Sequence, residues 1–301
     1  MIKFYLYKYQ VWLCRLVKKG TTEVKTKNRK ESNMFNKLIK SLFAFLIFLS
    51  LTLTAQARSL DEIMKSGVLK MGVNPGLPPL AKYNEKNELV GFDADIGAKL
   101  AEMLGVELEL VKVGSPDRIP FVATGKIDIV MGALTRNYKR QKIVDYTVPV
   151  HTEVFGALTT SKKPFADVMD MNSADVKLAQ VRGSMPAGWA QKNLPNAKIT
   201  LFDNYPDAMR SIAQGRADAI VDVVDFLGEH MNKHKNVEWQ VVDKAIDTWY
   251  CGIGVKKGNS SLQQWLNVAL YTLHRADFVD QTWEKWFGIR QIHSVEPQPY
   301  F

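Results

Sequence analysis

The chain has 301 residues and a formal net charge of +9 at pH 7. Its first 57 residues carry 11 basic and 2 acidic residues, so residues 58–301 carry 29 of each and have no net charge. This balance argues against nucleic-acid binding, which needs a basic face on the folded domain.

Residues 34–57 have the composition of an export signal. They read MFNKLIKSLFAFLIFLSLTLTAQA, with two lysines before an uncharged apolar run and Ala-Gln-Ala at the end. A basic start, an apolar centre and a small-x-small end are typical of a cleavable secretory signal peptide. The apolar run, about 13 residues, is shorter than the ~20 residues that a membrane-spanning helix needs. We therefore expect a periplasmic mature chain that begins near Arg58.

Residues 1–33 precede this signal and are rich in lysine. Met34 is a natural start, so we interpret residues 1–33 as an upstream extension that results from a misassigned start codon. The alternative, a cytoplasmic basic arm, requires a signal that is not cleaved. Neither segment enters the prediction of the fold.

The chain has two cysteines, Cys14 and Cys251, and only the second lies in the expected mature chain. One cysteine cannot form an internal disulfide, so the hydrophobic core must stabilise the protein without one. The expected mature chain of about 244 residues is long enough to form such a core. Because Cys251 lies in an apolar stretch, we expect it to be a buried small hydrophobic residue rather than a nucleophile.

The first part of the expected mature chain alternates between strand and helix patterns. The apolar run 68–73 ends at Asn-Pro-Gly and predicts a strand and a turn. Residues 91–104 carry apolar side chains at a spacing of four before Gly105, which predicts an amphipathic helix and its end. Residues 107–113 alternate as a strand does, and residues 127–131 form a short, mostly apolar strand.

The pattern repeats in the rest of the chain. We predict strands at residues 176–181, 199–202, 219–224, 238–242 and 249–255, and helices at residues 186–193, 205–214 and 260–273. Because most units run from strand to helix, the order predicts an α/β fold with parallel sheets and helices on both faces. Two units of about 100 residues each are more typical of two lobes than of one domain. Ligands bind beyond the carboxyl ends of such strands, so two facing units form a cleft.

Five segments of the chain form an ordered set of motifs. They are GVLKMGVNPGLPPL at 67–80, LVGFDADIGAKLAEMLGV at 89–106, DRIPFVATGKIDIVMGALTRNYKRQKIVDYTVP at 117–149, GRADA at 215–219 and EKWFG at 284–288. The set resembles the periplasmic polar-amino-acid-binding proteins of ABC transporters, which form family 3 of the bacterial solute-binding proteins. Each segment alone is a weak signal, but their order behind a signal peptide makes the resemblance specific.

The resemblance implies a two-lobed periplasmic-binding-protein fold of the Venus-flytrap kind, type II-like, with a two-strand hinge. Lobe 1 is expected to hold residues 58–152 and 252–301, and lobe 2 is expected to hold residues 153–251. The hinge strands are expected near residues 151–155 and 249–254. The ligand is expected to lie between the lobes and to close them.

The resemblance also implies a site for the ligand α-carboxylate. In similar proteins the arginine of a T-x-x-x-x-R segment binds this group, and here the segment runs from Thr135 to Arg140. A guanidinium suits the role because it binds a carboxylate through two parallel hydrogen bonds. Thr135 is expected to add a hydroxyl donor, while Ala133, where relatives often carry serine, is expected to offer only its backbone. Gly183 and Ser184 match a turn whose N–H groups meet the carboxylate at a helix start; Ser184 is also a candidate helix cap.

Asp222 and Asp225 are the candidates for binding the ligand ammonium. The family pattern places an acidic residue eight positions after the glycine of GRADA, and that position is Val223 in this sequence. Asp222 precedes it by one residue and Asp225 follows it by two. We favour Asp222 for the ammonium, because Asp225 is the better candidate for a helix cap.

Two further positions bear on the choice of ligand. Arg118, in DRIP, matches a residue that meets the side-chain carboxylate in relatives that bind acidic amino acids; a surface arginine at a helix start is the alternative. Many relatives cover the ligand with an aromatic residue after the first strand, where this chain has Leu77 and Leu80. An aliphatic cover gives aromatic or cationic ligands less stacking. Acidic amino acids are therefore favoured, followed by small neutral or sulfur-containing ones, and cationic ones come last.

The resemblance implies a receptor that captures an amino acid and delivers it to the permease of an ABC importer. We expect a monomer that needs no cofactor and no metal. A periplasmic dehydratase of the same fold and a receptor for another small solute are the alternatives. A dehydratase needs a general acid or base in the cleft, and the predicted lobe 2 turn, RGSMPAGW, contains no Asp or Glu. The histidines show no metal-binding spacing, and we expect His230 and His234 at the surface.

Overall fold

A computed structural model describes residues 58–297 of the chain and, within them, every side chain except those of residues 243–245. The upstream extension and the signal peptide expected at residues 1–33 and 34–57 lie outside the described residues.

The elements of the described range are as follows. The helices are α1 (Leu60–Ser66), α2 (Phe92–Leu104), α3 (Arg118–Ala123), α4 (Met185–Asn193), α5 (Tyr205–Ala213), α6 (Gly228–Asn232), α7 (Ser260–Arg275) and α8 (Phe278–Phe287), with 3₁₀ helices at Arg140–Lys142, Val168–Met171 and Val224–Leu227. The strands are β1 (Val68–Val73), β2 (Lys82–Tyr83), β3 (Leu89–Val90), β4 (Glu107–Lys112), β5 (Ile129–Val130), β6 (Val144–Thr160), β7 (Lys177–Val181), β8 (Lys198–Phe202), β9 (Ile220–Val223) and β10 (Trp239–Lys256). None of the helices described here is both long and apolar enough to cross a membrane.

Glycines bound the helix α2 at both ends. Gly91 precedes it with a φ of 140°, and Gly105 follows it in the left-handed region with a φ of 69°. Phe92 and Ile96 are fully buried on one face, as the spacing of four predicted. A Cβ at Gly91 would lie 2.4 Å from the carbonyl oxygen of Leu80, so only glycine fits where this helix begins.

Six strands form the larger sheet, in the order β4-β1-β5-β10-β6-β9. β1 runs parallel to both β4 and β5, which is the arrangement that the alternation of strands and helices predicted. β10 is antiparallel to β5 and to β6, and β6 is antiparallel to β9. The sheet is therefore parallel on one side and antiparallel on the other.

β6 and β10 are much longer than the other strands of this sheet, at 17 and 18 residues. At one end β10 pairs with β5, and at the other end β6 pairs with β9. Between these ends the two strands pair with each other, with Glu153 opposite Trp249 and His151 opposite Cys251, and the register is irregular on both sides of this stretch. The long pair thus links one α/β layer to the next, at the place where the hinge strands were expected.

The second α/β layer is built on β7 and β8, which are parallel. An isolated parallel bridge between Leu178 and Ala219 joins β7 to the residue just before β9. Because α4 follows β7 and α5 follows β8, this layer repeats the alternation of strand and helix seen in the first layer.

Buried apolar side chains pack in three clusters. The largest contains β1 and the inner face of α2, including Met71 and Phe92. A second surrounds Phe155, whose ring stacks on Trp249 at a centroid distance of 4.3 Å and meets Trp189 edge-on at 5.3 Å. A third lies under α3 and β5. The largest cluster also contains Met209 on α5 and Ile220 on β9, so apolar packing is continuous across both layers, while the second cluster belongs to the layer of β7 and β8.

Most predicted strands and helices agree with the structure to within one or two residues at each end. The strand predicted at residues 127–131 is shorter, because only Ile129–Val130 pairs, and the strands predicted at 238–242 and 249–255 are parts of the single strand β10. The sequence analysis missed α1, α6, α8, the two-residue strands β2 and β3, and most of β6. Since β6 is buried on both faces and contains Pro149, it lacks the alternation that marks a half-buried strand.

Gly91→Ala should destabilise the fold strongly, because the new Cβ would meet backbone atoms of Leu80 and Ala81 at a φ that L residues rarely adopt. We expect the free energy of unfolding, measured by urea denaturation, to fall by at least about 3 kcal/mol. Gly105→Ala is the matched control at the other end of α2. A Cβ there meets no atom within 4 Å, so the variant should lose only about 1–2 kcal/mol for the left-handed conformation. Equal losses would contradict this account.

Candidate ligand-binding site

Buried polar side chains collect beside the stretch where β6 and β10 pair. We call this group the cleft cluster, and its members are Asp93, Arg118, Thr135, Glu153, Tyr205, Asp222 and Cys251. No member is more than 4 % exposed, and they come from both α/β layers. Buried charge is costly unless it is paired or neutralised. A concentration of titratable groups in one enclosed place is therefore typical of a functional site.

Arg118 begins α3 and directs its guanidinium at backbone carbonyls. Its Nε donates to the Ser115 carbonyl at 3.3 Å, and its Nη1 donates to the carbonyls of Gly132 and, at 2.8 Å, Ala133. The side chain is 2 % exposed, so the alternative of a surface arginine was wrong. Burial lowers the pKa of Arg118, and the nearby charge of Arg140 lowers it further. Within the described part of the chain, Nη2 has no hydrogen-bond partner.

Arg118 and Asp93 hold the loop after β5 from two sides. The Gly132 N–H donates to Asp93 Oδ2 at 2.8 Å, and the Gly132 carbonyl accepts from Arg118. Gly132 and Ala133 both have a positive φ, of 83° and 57°. A positive φ costs an alanine about 1–2 kcal/mol, so the hydrogen bonds around this loop must stabilise it.

Thr135 lies beside β10, because the chain around it pairs with that strand. Thr135 forms an antiparallel bridge with Cys251, and the Arg136 N–H donates to the Tyr250 carbonyl at 2.9 Å. The Thr135 hydroxyl donates to Glu153 Oε2 at 3.1 Å. A protein carboxylate therefore competes for the hydroxyl proton that was expected to reach the ligand carboxylate.

Arg140 lies at the edge of the cleft cluster in a short 3₁₀ helix. Its Nη1 donates to the Thr135 carbonyl at 3.2 Å, and its Nη2 donates to the Gly183 carbonyl at 2.7 Å. The second bond joins the layer that contains β1 to the turn after β7. The structure thus brings together three of the residues that were predicted to bind the ligand carboxylate.

The turn after β7 packs tightly against the loop before α3. Gly183 has a φ of 77°, and a Cβ there would lie 2.9 Å from the Pro116 Cα. Ser184 is the N-cap of α4, and its hydroxyl oxygen accepts from the Ala187 N–H at 3.2 Å, which confirms the capping interpretation. The Ser184 N–H donates to the Val181 carbonyl at 3.1 Å. This bond leaves the Ser184 N–H engaged within the turn.

Asp93, Glu153, Tyr205 and Cys251 are the members of the cleft cluster that the sequence analysis missed as site residues, and Glu153 and Cys251 lie together on the long strand pair. On antiparallel strands, a residue has a diagonal neighbour two positions beyond its partner, and Cys251 lies two positions beyond Trp249, the partner of Glu153. The Cys251 thiol and the Thr135 hydroxyl both bond to the Glu153 carboxyl group. Cys251 is buried, as predicted, but its neighbours are polar. A signal was available, since Glu153 is the single Asp, Glu, Lys or Arg between Tyr146 and Thr160.

Asp222 and Asp225 lie in different environments. Asp222 is 2 % exposed, its Oδ1 accepts from the Val223 N–H at 2.8 Å, and its buried Oδ2 has no hydrogen-bond partner of normal geometry among the described residues. Asp225 is exposed. The 3₁₀ helix that contains it and the helix α6 both begin without a side-chain cap, so the capping role considered for Asp225 was wrong.

Burial raises the pKa of all three carboxyl groups of the cleft cluster. The pKa of Asp93 rises to about 8, although the Gly132 N–H opposes the shift. The pKa of Glu153 and that of Asp222 each rise to about 7. The charge of Glu153 contributes to the raised pKa of Asp222. Because the charge of Glu153 acts on Asp222, ionisation of one acid opposes ionisation of the other, and the two titrate as a coupled pair.

Three residues that the sequence analysis singled out, Leu77, Leu80 and His230, do not belong to the cleft cluster. Leu77 and Leu80, which were expected to cover the ligand, are 1 % and 0 % exposed and belong to the largest apolar cluster. The expectation that His230 is at the surface was wrong, because His230 is buried and its Nε2 bonds to the Gly76 carbonyl at 2.9 Å. Among the side chains that the structure describes, no group of three or more His, Cys, Asp or Glu residues is placed to hold a metal ion.

Two α/β layers linked by a long strand pair, with a cluster of buried titratable groups beside it, form a candidate site for a small polar ligand. Residues 69–289 match the family described as bacterial extracellular solute-binding proteins, family 3. The chain therefore belongs to this family, and the resemblance inferred from its five motifs is confirmed.

The names of the relatives refer to different amino acids. The glutamine-binding protein GlnH of an ABC transporter of Bacillus subtilis is 28 % identical over 208 residues, which cover 68 % of this chain and 75 % of that protein. The glutamate/aspartate import solute-binding protein of Escherichia coli is 23 % identical over 246 residues, 77 % of this chain and 80 % of that one.

A solved structure of an ancestral amino-acid-binding protein, described as a precursor of cyclohexadienyl dehydratase, superposes with a TM-score of 0.70. Its sequence is 33 % identical, and the match covers 76 % of this chain and 99 % of that one. The two-lobed Venus-flytrap fold with its two-strand hinge is thereby confirmed.

Arg118→Met should destabilise the protein, because three buried carbonyls lose their donor. We expect the free energy of unfolding in urea to fall by about 2–4 kcal/mol. Arg182→Met is the control, since Arg182 forms only an exposed pair with Asp203 and should cost at most about 1 kcal/mol. A loss in Arg118→Met no larger than that in Arg182→Met would show that Arg118 does not hold the loop.

Proposed function

We propose that this chain is the receptor of an ABC importer and that it binds one free amino acid between its two lobes. In this proposal lobe 1 comprises residues 58–152 and 252–301, and lobe 2 comprises residues 153–251. The observation that carries the proposal is the cleft cluster. It contains Arg118 beside buried carboxyl groups, and Arg140 lies at its edge. Asp93 Oδ1 and Asp222 Oδ2 have no hydrogen-bond partner among the described residues. Cationic donors near buried acceptors complement the two charges of a zwitterion.

Arg140 is the proposed anchor for the α-carboxylate. A guanidinium has five N–H groups, and two of those of Arg140 are used by the carbonyls of Thr135 and Gly183. The remaining donors suffice for a two-bond contact with a carboxylate. The Thr135 hydroxyl and the backbone of Ala133 lie on the same loop, and Gly183 and Ser184 approach from the other lobe. The Ser184 N–H is used by the Val181 carbonyl, so the donors proposed for the carboxylate are those of Arg140, the Thr135 hydroxyl and the backbone N–H groups of Ala133 and Gly183.

Asp222 is the proposed partner of the ligand ammonium. The Tyr205 hydroxyl lies near the Asp222 carboxyl group and lowers its pKa, but Oδ2 has no hydrogen bond of normal geometry among the described residues. A buried carboxylate oxygen without a hydrogen bond is costly, and an ammonium that donates to Oδ2 would remove that cost. Binding of the cation would also favour the ionised form of a carboxyl group whose pKa burial has raised to about 7. Asp225 is exposed and does not belong to the cleft cluster.

An acidic amino acid is the proposed ligand class, and the proposal rests on Arg118. Its Nη2 is available to a side-chain carboxylate, while Nε and Nη1 hold backbone carbonyls. The relatives include proteins named for glutamine and for glutamate/aspartate. A single available nitrogen favours an acidic side chain over a neutral one less strongly than a complete guanidinium fork would.

The proposed delivery of the ligand to the permease depends on export of the protein and on closure of its two lobes. A cleavable signal at residues 34–57 would deliver the protein to the periplasm, where it would act as a monomer without a cofactor. Closed lobes then present one surface to the membrane permease, and the bound amino acid stabilises that closed state.

A thermal-shift screen tests the receptor proposal. The purified protein, freed of ligand by unfolding and refolding, is heated with each common amino acid in excess. A ligand at about 100 times its Kd adds roughly 2.7 kcal/mol, which raises the Tm of a domain of this size by a few degrees. A shift confined to Asp and Glu is expected. A shift with neutral residues alone would reject the acidic preference, and no shift with any amino acid would reject the receptor proposal.

Arg140→Ala should abolish the ligand-induced shift and leave the Tm of the ligand-free protein nearly unchanged. Its two hydrogen bonds to carbonyls lie at the partly exposed edge of the cleft cluster, so their loss costs little stability. Lys139→Ala, an exposed neighbour in sequence, is the control and should bind normally. A large drop in Tm without ligand would instead mark Arg140 as a structural arginine.

A dehydratase is the second candidate, and Glu153 is the observation that favours it. The expectation that no acid lies in the turn after β7 holds, but Glu153 supplies a buried carboxyl group from the hinge strand, with its pKa raised to about 7. Such a group is suited to protonate a leaving hydroxyl. The ancestral binding protein described as a precursor of cyclohexadienyl dehydratase has the same fold.

Turnover of a hydroxylated cyclohexadienyl compound tests this candidate. Loss of water that creates an aromatic ring is followed by its ultraviolet absorbance. The receptor proposal predicts no turnover above the rate of the solution without protein. Turnover that Glu153→Gln abolishes would establish the enzyme instead.

A further inference from the structure

The Thr135 hydroxyl is the starting point, because it has one proton and two candidate acceptors. In the structure this proton is directed at Glu153 Oε2, 3.1 Å away. Both side chains are buried, at 4 % and 3 % exposure, so water does not readily replace either partner. If Thr135 is to donate to a ligand carboxylate, another group must supply the hydrogen bond between Thr135 and Glu153.

A protonated Glu153 is the group that meets this requirement. A neutral carboxyl group has an O–H that can donate to Thr135 Oγ1, which frees the Thr135 proton for another acceptor. The Cys251 thiol, the other partner of Glu153, keeps its proton, since burial and the charge of Glu153 raise its pKa well above the usual range. The three side chains then form a directed chain of donors that ends at the ligand side of Thr135.

We propose that Glu153 is a positioning residue which, in its protonated form, donates to Thr135 and so turns the Thr135 hydroxyl toward the ligand carboxylate. This inference rests on the proposed function, because it takes an α-carboxylate beside Thr135 and Arg140 as given. An ionised Glu153 has the opposite effect, since it draws the Thr135 proton away and places a negative charge near the ligand carboxylate. Ligand binding is therefore coupled to uptake of a proton by Glu153.

The groups that face Glu153 set the pH range in which ligand binding is coupled to protonation of Glu153. They are Thr135 in the loop after β5, Cys251 on β10, Arg118 on α3, Arg140 in its 3₁₀ helix, Asp93 on α2, Tyr205 on α5 and Asp222 on β9. Burial raises the pKa of Glu153 to about 7, while the bonds from Cys251 and Thr135 and the charges of the two arginines oppose the shift. Glu153 therefore changes its protonation near neutral pH.

Ligand binding has the opposite effect on the protonation of Asp222. The ligand ammonium favours ionised Asp222, so binding releases a proton below the pKa of Asp222, which is about 7, and affinity rises with pH there. Binding takes up a proton at Glu153 above its pKa, which is also about 7, and affinity falls as pH rises. The state that binds the ligand has Glu153 protonated and Asp222 ionised. The affinity of the native protein should pass through a maximum near neutral pH.

The test compares the native protein with Glu153→Gln by titration calorimetry from pH 5.5 to 8.5. The probes are L-glutamate, L-aspartate, L-glutamine and L-arginine, which share the α-carboxylate and α-ammonium groups. The side-chain amide introduced by Glu153→Gln would donate to Thr135 at every pH, so the variant should lose the decline of affinity above neutral pH. Between pH 7 and 8.5 we expect the Kd of the native protein to rise at least about fivefold relative to that of the variant, within the tenfold limit per pH unit for one proton.

Proton counting gives a second readout. Titrations in two buffers that differ in ionisation enthalpy should show net proton uptake by the native protein above pH 7.5, and none by Glu153→Gln. Titration of the free amino acid is common to both proteins and cancels in the comparison. Asp225→Asn, which removes an exposed carboxylate outside the cleft cluster, is the control and should keep the native profile.

The outcomes separate the inference from the proposed function. If the native protein and Glu153→Gln bind a probe with parallel pH profiles, the relay through Thr135 is rejected while the receptor stands. Loss of binding in Glu153→Gln at every pH, with an unchanged Tm, would show that Glu153 contacts the ligand directly and would also reject the relay. If none of the common amino acids binds to the native protein, the proposed function fails and the relay fails with it.

Discussion

The antiparallel pairing of β6 with β10 is the constraint on which the site depends. It places Glu153 diagonally beside Cys251, and the bridge from Thr135 to Cys251 adds the loop after β5 to the same place. The same two strands connect the α/β layers that hold Arg118 and Asp222. Because a two-strand connection can bend, closure of the lobes and assembly of the cleft cluster depend on one piece of backbone.

The electrostatics of the cleft cluster follow from its burial. Charged groups that lose water must be paired, satisfied by dipoles or neutralised. Arg118 is satisfied by three carbonyl dipoles, and the acids respond to burial with raised pKa values. Asp93 Oδ1 and Asp222 Oδ2 are the exceptions, since neither oxygen has a hydrogen bond among the described residues. In the proposed function, the carboxylate and the ammonium of a zwitterionic ligand would complement Arg140 and Asp222.

Local sequence patterns were sufficient to predict most strands and helices, and the T-x-x-x-x-R segment pointed to Thr135 and Arg140. Other features depend on contacts between distant parts of the chain. Glu153 lies on a strand buried on both faces, so no periodicity marks its orientation, and its approach to Thr135 depends on the register of β6 with β10. The carbonyl partners of Arg118 depend on a positive φ at Ala133, which is uncommon for an alanine.

A crystal structure with the amino acid that gives the largest thermal shift tests the central claim most directly. The account predicts that the α-carboxylate accepts hydrogen bonds from Arg140 and that the ammonium lies within hydrogen-bond distance of Asp222 Oδ2. A ligand bound away from the cleft cluster, or one whose ammonium faces Asp225, would contradict it.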